Sequence, residues 1–197
     1  MKRVVIPELL DSDAGTPREI SDSLADLRMI NRFFGGARTM TGLLGEIADR
    51  RQLKSISWLD VAGASGDIAA LATEALAEKG IALKPVLLDR SAAHLNGKFP
   101  SVCGDALALP FRDNSFDVVV SSLAIHNIRG RAGREKAVSE AVRVLRPGGR
   151  LLIADVRGTR PHQAQLAKIG MNEVTGRRLR WPFMARLVTA TKPGGRS

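Results

Sequence analysis

The chain has 197 residues, of which 44% are hydrophobic and 25% charged, as in one ordinary globular domain. No apolar run approaches the roughly 20 residues that cross a bilayer. A signal-peptide core behind the basic N-terminus is interrupted by Pro7, Glu8, Asp11 and Asp13. The single cysteine, Cys103, excludes an internal disulfide and is expected to be a small core residue. These features predict one cytoplasmic domain without a membrane span.

The charge is strongly positive and unevenly distributed. The formal net charge is +10, and residues 140–197 hold twelve Arg or Lys against three acids, a net of +9. A basic face can attract nucleic acid, anionic lipid or an anionic substrate. These cations are scattered, and few aromatic residues lie among them to stack on bases. We therefore favour a solvated surface and consider nucleic acid an unlikely partner.

The first third of the chain predicts an arm followed by two helices. Residues 1–17 are polar and broken by Pro and Gly, which is typical of a loose arm. Apolar residues recur at helical spacing from Arg18 to Phe34 and again from Ala37 to Arg51. The predicted boundaries are the arm at 1–17, a helical lid at 18–52 and a catalytic core at 55–193, in one domain spanning 1–197.

Beyond residue 55, strand and helix patterns alternate. The predicted strands are Ile56–Val61, Ala82–Leu88, Phe116–Ser122 and Arg150–Val156, and the predicted helices are Asp67–Lys79, Arg134–Leu145 and Gln163–Ile169. Two β-rich segments follow at Glu173–Arg180 and Ala185–Thr191. The alternation indicates an α/β fold, and the final pair adds an antiparallel edge to a mostly parallel sheet with helices on both faces.

A loop of small residues joins the first strand to the following helix. Its sequence, VAGASGD at residues 61–67, lets a ligand approach the main chain beside a helix N-terminus. Asp89 ends the next strand, where an acid can accept hydrogen bonds from both hydroxyls of a ribose. Loop and acid together predict a nucleoside-containing cofactor, either NAD(P) or S-adenosylmethionine (SAM).

Two features argue against a nicotinamide cofactor. Short-chain dehydrogenases with a GASG loop use a catalytic tyrosine, and this chain contains no tyrosine. Asp67 also stands where a pyrophosphate would meet the helix, whereas the sulfonium and ammonium groups of SAM would be attracted to Asp60 and Asp67. The residues therefore favour SAM.

The stretch from Trp58 to Pro193 resembles the class I SAM-dependent methyltransferases, especially the type 11 group related to quinone-biosynthesis C-methyltransferases. The matching motifs, in chain order, are DVAGASGD, LLDRS, CGDALALPFRDNSFDVVVSSLAIHNI and VLRPGGRLLIAD, followed by a closing LVTATKP. The resemblance implies a Rossmann-like fold with a seven-stranded sheet, and SAM as the cofactor.

The resemblance also implies individual cofactor contacts. Asp89 would hold the ribose, Arg90 would lie over the adenine, Asp105 would contact the adenine amino group, and Ala106 would donate its backbone N–H to a ring nitrogen. The other implied cofactor contacts are Asp60, Ala62, Gly63, Ala64, Gly66 and Ser121. Two of these, Ala62 and Ala64, stand where the family usually has glycine.

The segment after the fourth strand bears on the methyl acceptor. Residues 121–127, SSLAIHN, lack the D/N-P-P-Y/F motif of many enzymes that methylate exocyclic amines, and resemble small-molecule C- and O-methyltransferases. His126 would lie on the cofactor side and could act as a catalytic base towards a hydroxyl or an activated carbon. The alternative is that His126 caps the following turn. His94 and His162 are expected at the surface, and no cluster has metal-ligand spacing.

The predicted function is SAM-dependent methylation of a small molecule. Because methyl transfer from a sulfonium mainly requires alignment, the lack of an obvious base motif does not exclude activity. The N-terminal helices would supply most of the acceptor lid, since the insertion at 157–161 is short. Two alternatives stay open: an RNA methyltransferase using the basic C-terminal half, and a SAM-binding protein without catalysis.

Overall fold

The computed structural model describes residues 36–95, 97–156, 159–179 and 185–194. Its helices are α1 (Gly36–Arg51), α2 (Asp67–Ala77), α3 (Gly130–Val144) and α4 (Thr159–Lys168). Its strands are β1 (Ser55–Val61), β2 (Ala82–Asp89), β3 (Ser101–Cys103), β4 (Phe116–Ser122), β5 (Leu145–Asp155), β6 (Asn172–Arg178) and β7 (Arg186–Thr191). The predicted arm at 1–17 and the first predicted helix lie outside the described residues.

The strands form one seven-stranded sheet in the order β3-β2-β1-β4-β5-β7-β6. The five strands from β3 to β5 are parallel, whereas β7 is antiparallel to both of its neighbours. This arrangement confirms the Rossmann-like α/β fold with an antiparallel C-terminal edge. The outermost strand of that edge is β6, because β7 inserts between β5 and β6.

Apolar side chains cover both faces of the sheet. Alternate residues of each central strand point to opposite faces, so Trp58 packs in one cluster and its neighbour Leu59 in the other. Leu44 of α1 and Leu76 of α2 lie in the first cluster, and Val138 of α3 lies in the second. Two covered faces explain why β4 is apolar along most of its length.

The boundary between α3 and β5 differs from the prediction. The helix begins at Gly130, ahead of the predicted Arg134, and ends at Val144, where Leu145 is already extended with φ −70° and ψ 139°. The segment Pro147–Gly149, which lies between the predicted helix and the predicted strand, is inside β5. Lys192 makes the abrupt ending possible, because its Nζ donates to the carbonyls of Val142, Arg143 and Leu145 at 3.0, 3.2 and 2.7 Å.

Three expectations about burial are wrong. Cys103 is exposed, because it lies on the short edge strand β3. His94 and His162 are buried, with exposed fractions of 6% and 2%. His94 turns inward to meet Asp89, and His162 lies on the buried side of α4.

Among the described residues, no helix has the length and apolar character that a bilayer crossing requires.

Candidate cofactor and acceptor site

The loop between β1 and α2 has the backbone path of a glycine loop. Ala62, Ala64 and Gly66 all have left-handed φ angles, of 60°, 44° and 72°. This conformation costs an L-residue roughly 1–2 kcal/mol. The two alanines therefore adopt the conformation that glycine would adopt freely, and the loop shape implied by the resemblance is retained.

Hydrogen bonds tie this loop to the end of β2. The N–H groups of Ala62 and Gly63 donate to the carbonyl of Leu88 at 2.7 and 3.2 Å. The N–H of Ala64 donates to Oδ2 of Asp89 at 3.2 Å. These hydrogen bonds hold the small-residue loop against Asp89, the predicted ribose acid at the end of β2.

Packing inside the protein requires glycine at two positions of the loop. A Cβ at Gly63 would lie 2.9 Å from Cγ of Asp60, and a Cβ at Gly66 would lie 2.7 Å from Cδ1 of Leu87. Both distances are shorter than van der Waals contact allows. The close approach is therefore needed for the fold itself, apart from any ligand.

The helix that follows offers a favourable end for a ligand. Gly66 is the N-cap residue of α2. As a glycine it has no side-chain oxygen that could accept a hydrogen bond from the N–H groups of the first turn. Asp67 stands in the first turn and accepts a hydrogen bond from the hydroxyl of Ser65. The carboxylate gives this end of the cleft a negative group suited to a cation.

The carboxylate of Asp89 is buried, with 7% of the residue exposed. Its Oδ1 accepts the N–H of Ser91 at 3.0 Å and lies 3.0 Å from Nδ1 of His94. Its Oδ2 accepts the N–H of Ala64 at 3.2 Å. Because a carboxylate has about four acceptor positions, two on each oxygen, this single long bond leaves Oδ2 with capacity for a hydroxyl.

Asp60 lies beneath the same loop and is only 2% exposed. Burial, together with the nearby charge of Asp89, raises its pKa to about 7 from the usual 3.8. The two acids lie at the ends of neighbouring parallel strands. A positively charged group bound between them would relieve their repulsion, which fits the sulfonium and ammonium groups of SAM.

The predicted adenine contacts lie beyond β2 and β3. Arg90 and Asp105 are exposed and Ala106 is partly buried. Oδ1 of Asp105 accepts the N–H of Leu107 at 2.8 Å, which orders the turn that carries Ala106. Gly104 is fixed next to this turn by its N–H, which donates to the carbonyl of Asp89 at 2.9 Å. The ribose and adenine residues therefore lie on connected loops.

An ion pair on α3 holds the segment that follows the adenine turn. Arg143 donates from its guanidinium to the carbonyls of Leu109 and Phe111, both at 2.9 Å. Glu140, in turn, pairs with Arg143 at 2.8 Å and accepts the N–H of Leu109 at 2.8 Å. The hydrogen bond from Arg143, assisted by the N–H of Leu109, lowers the pKa of Glu140. Helix α3 thus fixes one end of the predicted adenine loop.

The predicted acceptor side of the site lies at the ends of β4 and β5. Ser121 is 3% exposed, and its Oγ has no hydrogen-bond partner among the described residues. The nearby Leu123 has a left-handed φ of 54°, which is rare for a bulky residue and marks local strain. The turn that follows places His126 next to Asp155, with 2.6 Å between Nδ1 and Oδ1.

His162 lies on α4, behind this pair. Both of its ring nitrogens are buried, and neither has a hydrogen-bond partner in the described ranges. Burial lowers the pKa of His162, so the ring stays neutral more readily than an exposed histidine. Within the described part of the chain, no three His, Cys, Asp or Glu residues are grouped so that they could hold a metal ion.

The predicted site residues therefore converge on one edge of the sheet. Asp60, Asp89 and Ser121 come from the C-terminal ends of β1, β2 and β4, and His126 follows β4. In an open parallel sheet this is the edge where ligands bind, at the point where the strand order reverses between β1 and β4. The individual cofactor and catalytic roles of these residues stay predictions.

Residues 59–153 match the family of methyltransferase domains. The match begins in β1 and ends in β5, so it contains the small-residue loop, the ribose acid and the turn that carries His126. This stretch of the chain is therefore similar to methyltransferase domains. The buried acids beneath the loop would fit the positive charges of SAM, the cofactor that the sequence predicts.

Curated relatives add a narrower similarity. The chain is 43% identical over 109 residues to the ubiquinone/menaquinone biosynthesis C-methyltransferase of Dinoroseobacter shibae, covering 49% of this chain and 41% of that protein. It is 31% identical over 143 residues to the enzyme of the same name from Francisella tularensis subsp. novicida, covering 66% of this chain and 53% of that protein. The chain thus matches about half the length of these relatives.

Solved structures support the fold. A 1,6-didemethyltoxoflavin-N1-methyltransferase from Burkholderia thailandensis, with bound S-adenosylhomocysteine, has a TM-score of 0.65 at 14% identity, covering 98% of this chain and 93% of that one. A SAM-dependent methyltransferase from Aquifex aeolicus has a TM-score of 0.64 at 18% identity, covering 90% and 98%. At these identities the likeness concerns the fold alone.

Sequence reasoning missed three residues of the site. Asp155 ends a strand as Asp89 does, so the rule that selected Asp89 would also have selected it. His94 lies five residues beyond Asp89, but nothing in its spacing shows that the ring turns inward. Arg143 looks like one more cation of the basic C-terminal segment, and only the fold shows that it holds the loop after Asp105.

Proposed function

We propose that this protein transfers a methyl group from SAM to a carbon or oxygen atom of a small-molecule acceptor. One observation supports the proposal most directly. The cofactor loop with its acids and the buried His126–Asp155 contact lie at the same edge of the sheet. The first group suits a cationic nucleoside, and the second suits an acceptor that must lose a proton. When bound, SAM supplies a methyl group already activated for displacement.

The chain's own residues have distinct tasks in this proposal. Asp89 uses the remaining capacity of Oδ2 for a ribose hydroxyl, and Asp60 faces the positive end of the cofactor from below the loop. Asp105 and Ala106 lie on one turn and hold the adenine. The segment that follows this turn is fixed by Arg143 of α3. His126 takes the proton of the acceptor, because it lies beyond the end of β4 on the side of the cofactor loop.

The class of acceptor is supported by what the segment after β4 contains and by the relatives. Residues 121–127 have no phenylalanine, tyrosine or proline that would clamp an exocyclic nitrogen. The curated relatives are named for C-methylation in quinone biosynthesis. Hydroquinones and phenols, which can lose a proton and present an electron-rich carbon or oxygen, are therefore the first acceptors to test.

The arrangement of cations supports a small acceptor over RNA. Several basic side chains of the C-terminal segment are committed to contacts within the protein. Arg146 pairs with Asp117, Arg150 pairs with Glu173, and Lys192 caps α3. Such cations are less available to phosphates than solvated surface groups.

Two measurements test the proposal in sequence. Calorimetry with SAM and S-adenosylhomocysteine should show binding by the wild type, and Asp117→Asn, which changes a buried acid at the far end of β4, should bind equally well. Transfer of tritiated methyl groups from SAM should then label a hydroquinone or phenol from a panel that also contains amines. Absence of SAM binding would refute the cofactor assignment. Binding without labelling of any acceptor would favour a non-catalytic SAM-binding protein.

A further inference from the structure

Asp155 and His126 form a buried pair at the acceptor end of the cleft. We propose that Asp155 is a positioning residue that keeps the proton of the His126 ring on Nδ1, so that Nε2 is the atom that accepts the substrate proton. The inference rests on the proposed function, because it specifies how the acceptor loses its proton. It also narrows the acceptor to a molecule with an O–H or C–H that ionises during methylation.

The contacts of Asp155 carry this assignment. Its Oδ1 accepts the N–H of Val156 at 2.7 Å, and its Oδ2 accepts the backbone N–H of His126 at 3.0 Å. Oδ1 also lies 2.6 Å from Nδ1 of the His126 ring, which is ion-pair distance, although the contact does not have the geometry of a hydrogen bond. The carboxylate is therefore held by backbone groups on both sides of the contact, and its direction towards the ring is fixed.

The chemistry of the two groups decides the tautomer. An ionised carboxylate can only accept hydrogen bonds, so it favours the tautomer with hydrogen on the neighbouring Nδ1, where the ring can donate to Oδ1. Asp155 is 1% exposed and the His126 side chain 9%, so water competes little for either group. With its hydrogen held on Nδ1, the neutral ring has its lone pair on Nε2, which is the form of a general base.

Other titratable and charged groups face this pair from neighbouring elements. His162 faces Asp155 from α4, but burial lowers the pKa of its ring, so it is a poor competitor for the negative charge. Arg134 and Glu135 of α3 also face this region, and Arg134 donates to the carbonyl of Ile128 at 2.9 Å. His126 is therefore the basic group in direct contact with the Asp155 carboxylate.

The proposed step balances in atoms and electrons. The acceptor's O–H or C–H bond breaks, and its proton moves to Nε2, giving an imidazolium that Asp155 stabilises. The electron pair left on the acceptor forms the new bond to the methyl carbon, while the pair of the broken carbon–sulfur bond stays on sulfur. The imidazolium later returns its proton to solvent, so no oxidant, reductant or metal is required.

Nuclear magnetic resonance can test the tautomer without a substrate. The chain contains three histidines, so their ring nitrogens can be resolved in uniformly ¹⁵N-labelled protein. His126→Gln assigns the signals by removing one set. At a pH of about 8, we expect wild-type His126 with hydrogen on Nδ1. In Asp155→Asn, whose amide can donate to Nδ1, the hydrogen should move to Nε2.

Matched variants separate positioning from general stability. Asp117→Asn changes another buried acid, on β4, and it should leave the His126 tautomer unchanged. With a hydroquinone acceptor, Asp155→Asn should lower kcat by roughly 10²- to 10⁴-fold, while SAM affinity by calorimetry stays the same. Wild-type His126 with hydrogen on Nε2, or an unchanged tautomer in Asp155→Asn, would overturn the proposal. If that variant does not fold, the wild-type tautomer alone decides.

A lack of SAM binding would instead refute the proposed function and would leave the tautomer result standing. The two hypotheses can therefore fail independently.

Discussion

His94 contacts the acid predicted to hold the ribose, with 3.0 Å between Nδ1 of His94 and Oδ1 of Asp89. The same oxygen accepts the N–H of Ser91 at 3.0 Å, so Oδ1 already has two partners. Oδ2 has the N–H of Ala64 at 3.2 Å. Oδ2 can accept a hydrogen bond from a ligand without any rearrangement. For the two carboxylate oxygens to bind both ribose hydroxyls, the His94 ring must move away from Oδ1.

Asp89→Ala should weaken SAM binding strongly. The variant loses a charge-assisted pair of hydrogen bonds, worth about 2–3 kcal/mol. Calorimetry should then show an affinity lower by roughly 30- to 150-fold. A folded variant with unchanged affinity would contradict the role of Asp89.

His94→Leu is the companion variant, because it removes the ring from Oδ1 without touching the acid. If His94 competes with the ribose, SAM affinity should rise by up to about tenfold, the equivalent of one hydrogen bond. A fall in affinity would instead show that His94 orients Asp89 for the ligand. The melting temperature without SAM serves as the folding control.

Much of this site follows from the sequence, because small residues and acids at strand ends have few other uses. The loop at 61–67, Asp89 and the class of sheet are all predictable in that way. Asp155 could have been found by the rule that selected Asp89, because it also ends a strand. His94 and Arg143 are not predictable, since their roles depend on contacts between segments distant in the chain or on which way a ring turns. The same limit applies to β3, whose three residues are too few to show a strand period.

Replacing Ala62 and Ala64 by glycine should stabilise the protein. Both alanines have left-handed φ angles, of 60° and 44°, and glycine removes that strain of roughly 1–2 kcal/mol per residue. The gain is partly offset by the greater freedom of glycine in the unfolded chain, about 0.4–1 kcal/mol. Urea unfolding of the double variant should therefore show a net gain of up to about 3 kcal/mol.

Ala70→Gly, within α2, is a suitable control for this pair. A helix-interior glycine should destabilise by roughly 1 kcal/mol, the opposite sign to the loop. Equal destabilisation by all three substitutions would mean that the left-handed loop conformation is not maintained in solution.

Asp60 should make SAM binding release protons near neutral pH. Burial and Asp89 raise its pKa to about 7, so about half of the ligand-free protein carries a proton there. The positive charge of SAM favours the ionised form, so binding should release up to about half a proton per site. Calorimetry at pH near 7 in buffers of different ionisation enthalpy measures this release.

The same raised pKa affects stability without ligand, with a definite sign. The folded state binds a proton that the unfolded state has lost, so the contribution of Asp60 is full below about pH 4 and falls as pH rises towards 7. Asp60→Asn should abolish both the proton release and this part of the pH dependence. Proton release that persists in Asp60→Asn would assign it to another group.

Arg143→Lys should loosen the predicted adenine loop while preserving the charge. Lysine cannot donate to Leu109, Phe111 and Glu140 in the planar arrangement that the guanidinium provides. We expect a loss of roughly 1–3 kcal/mol in unfolding free energy and weaker SAM binding. Arg131→Lys, on the exposed face of α3, is the matched control and should change neither quantity. Unchanged SAM affinity in Arg143→Lys would separate the ion pair from cofactor binding.

The last prediction concerns the basic segment 140–197, whose net charge of +9 could suggest an RNA site. A site that neutralises phosphates needs a continuous stripe of available cations. Arg143, Arg146 and Lys192 make contacts inside the protein, whereas Arg177 and Arg178 lie exposed on the outermost strand β6. Charge on an edge strand discourages pairing with other chains, and this explains arginine on β6 without an RNA partner.

We expect RNA binding no tighter than about 10 µM at physiological salt, within the non-specific range. A gel shift or anisotropy titration over several salt concentrations measures it. Submicromolar binding that persists at that salt and prefers one RNA would make an RNA methyltransferase the leading hypothesis.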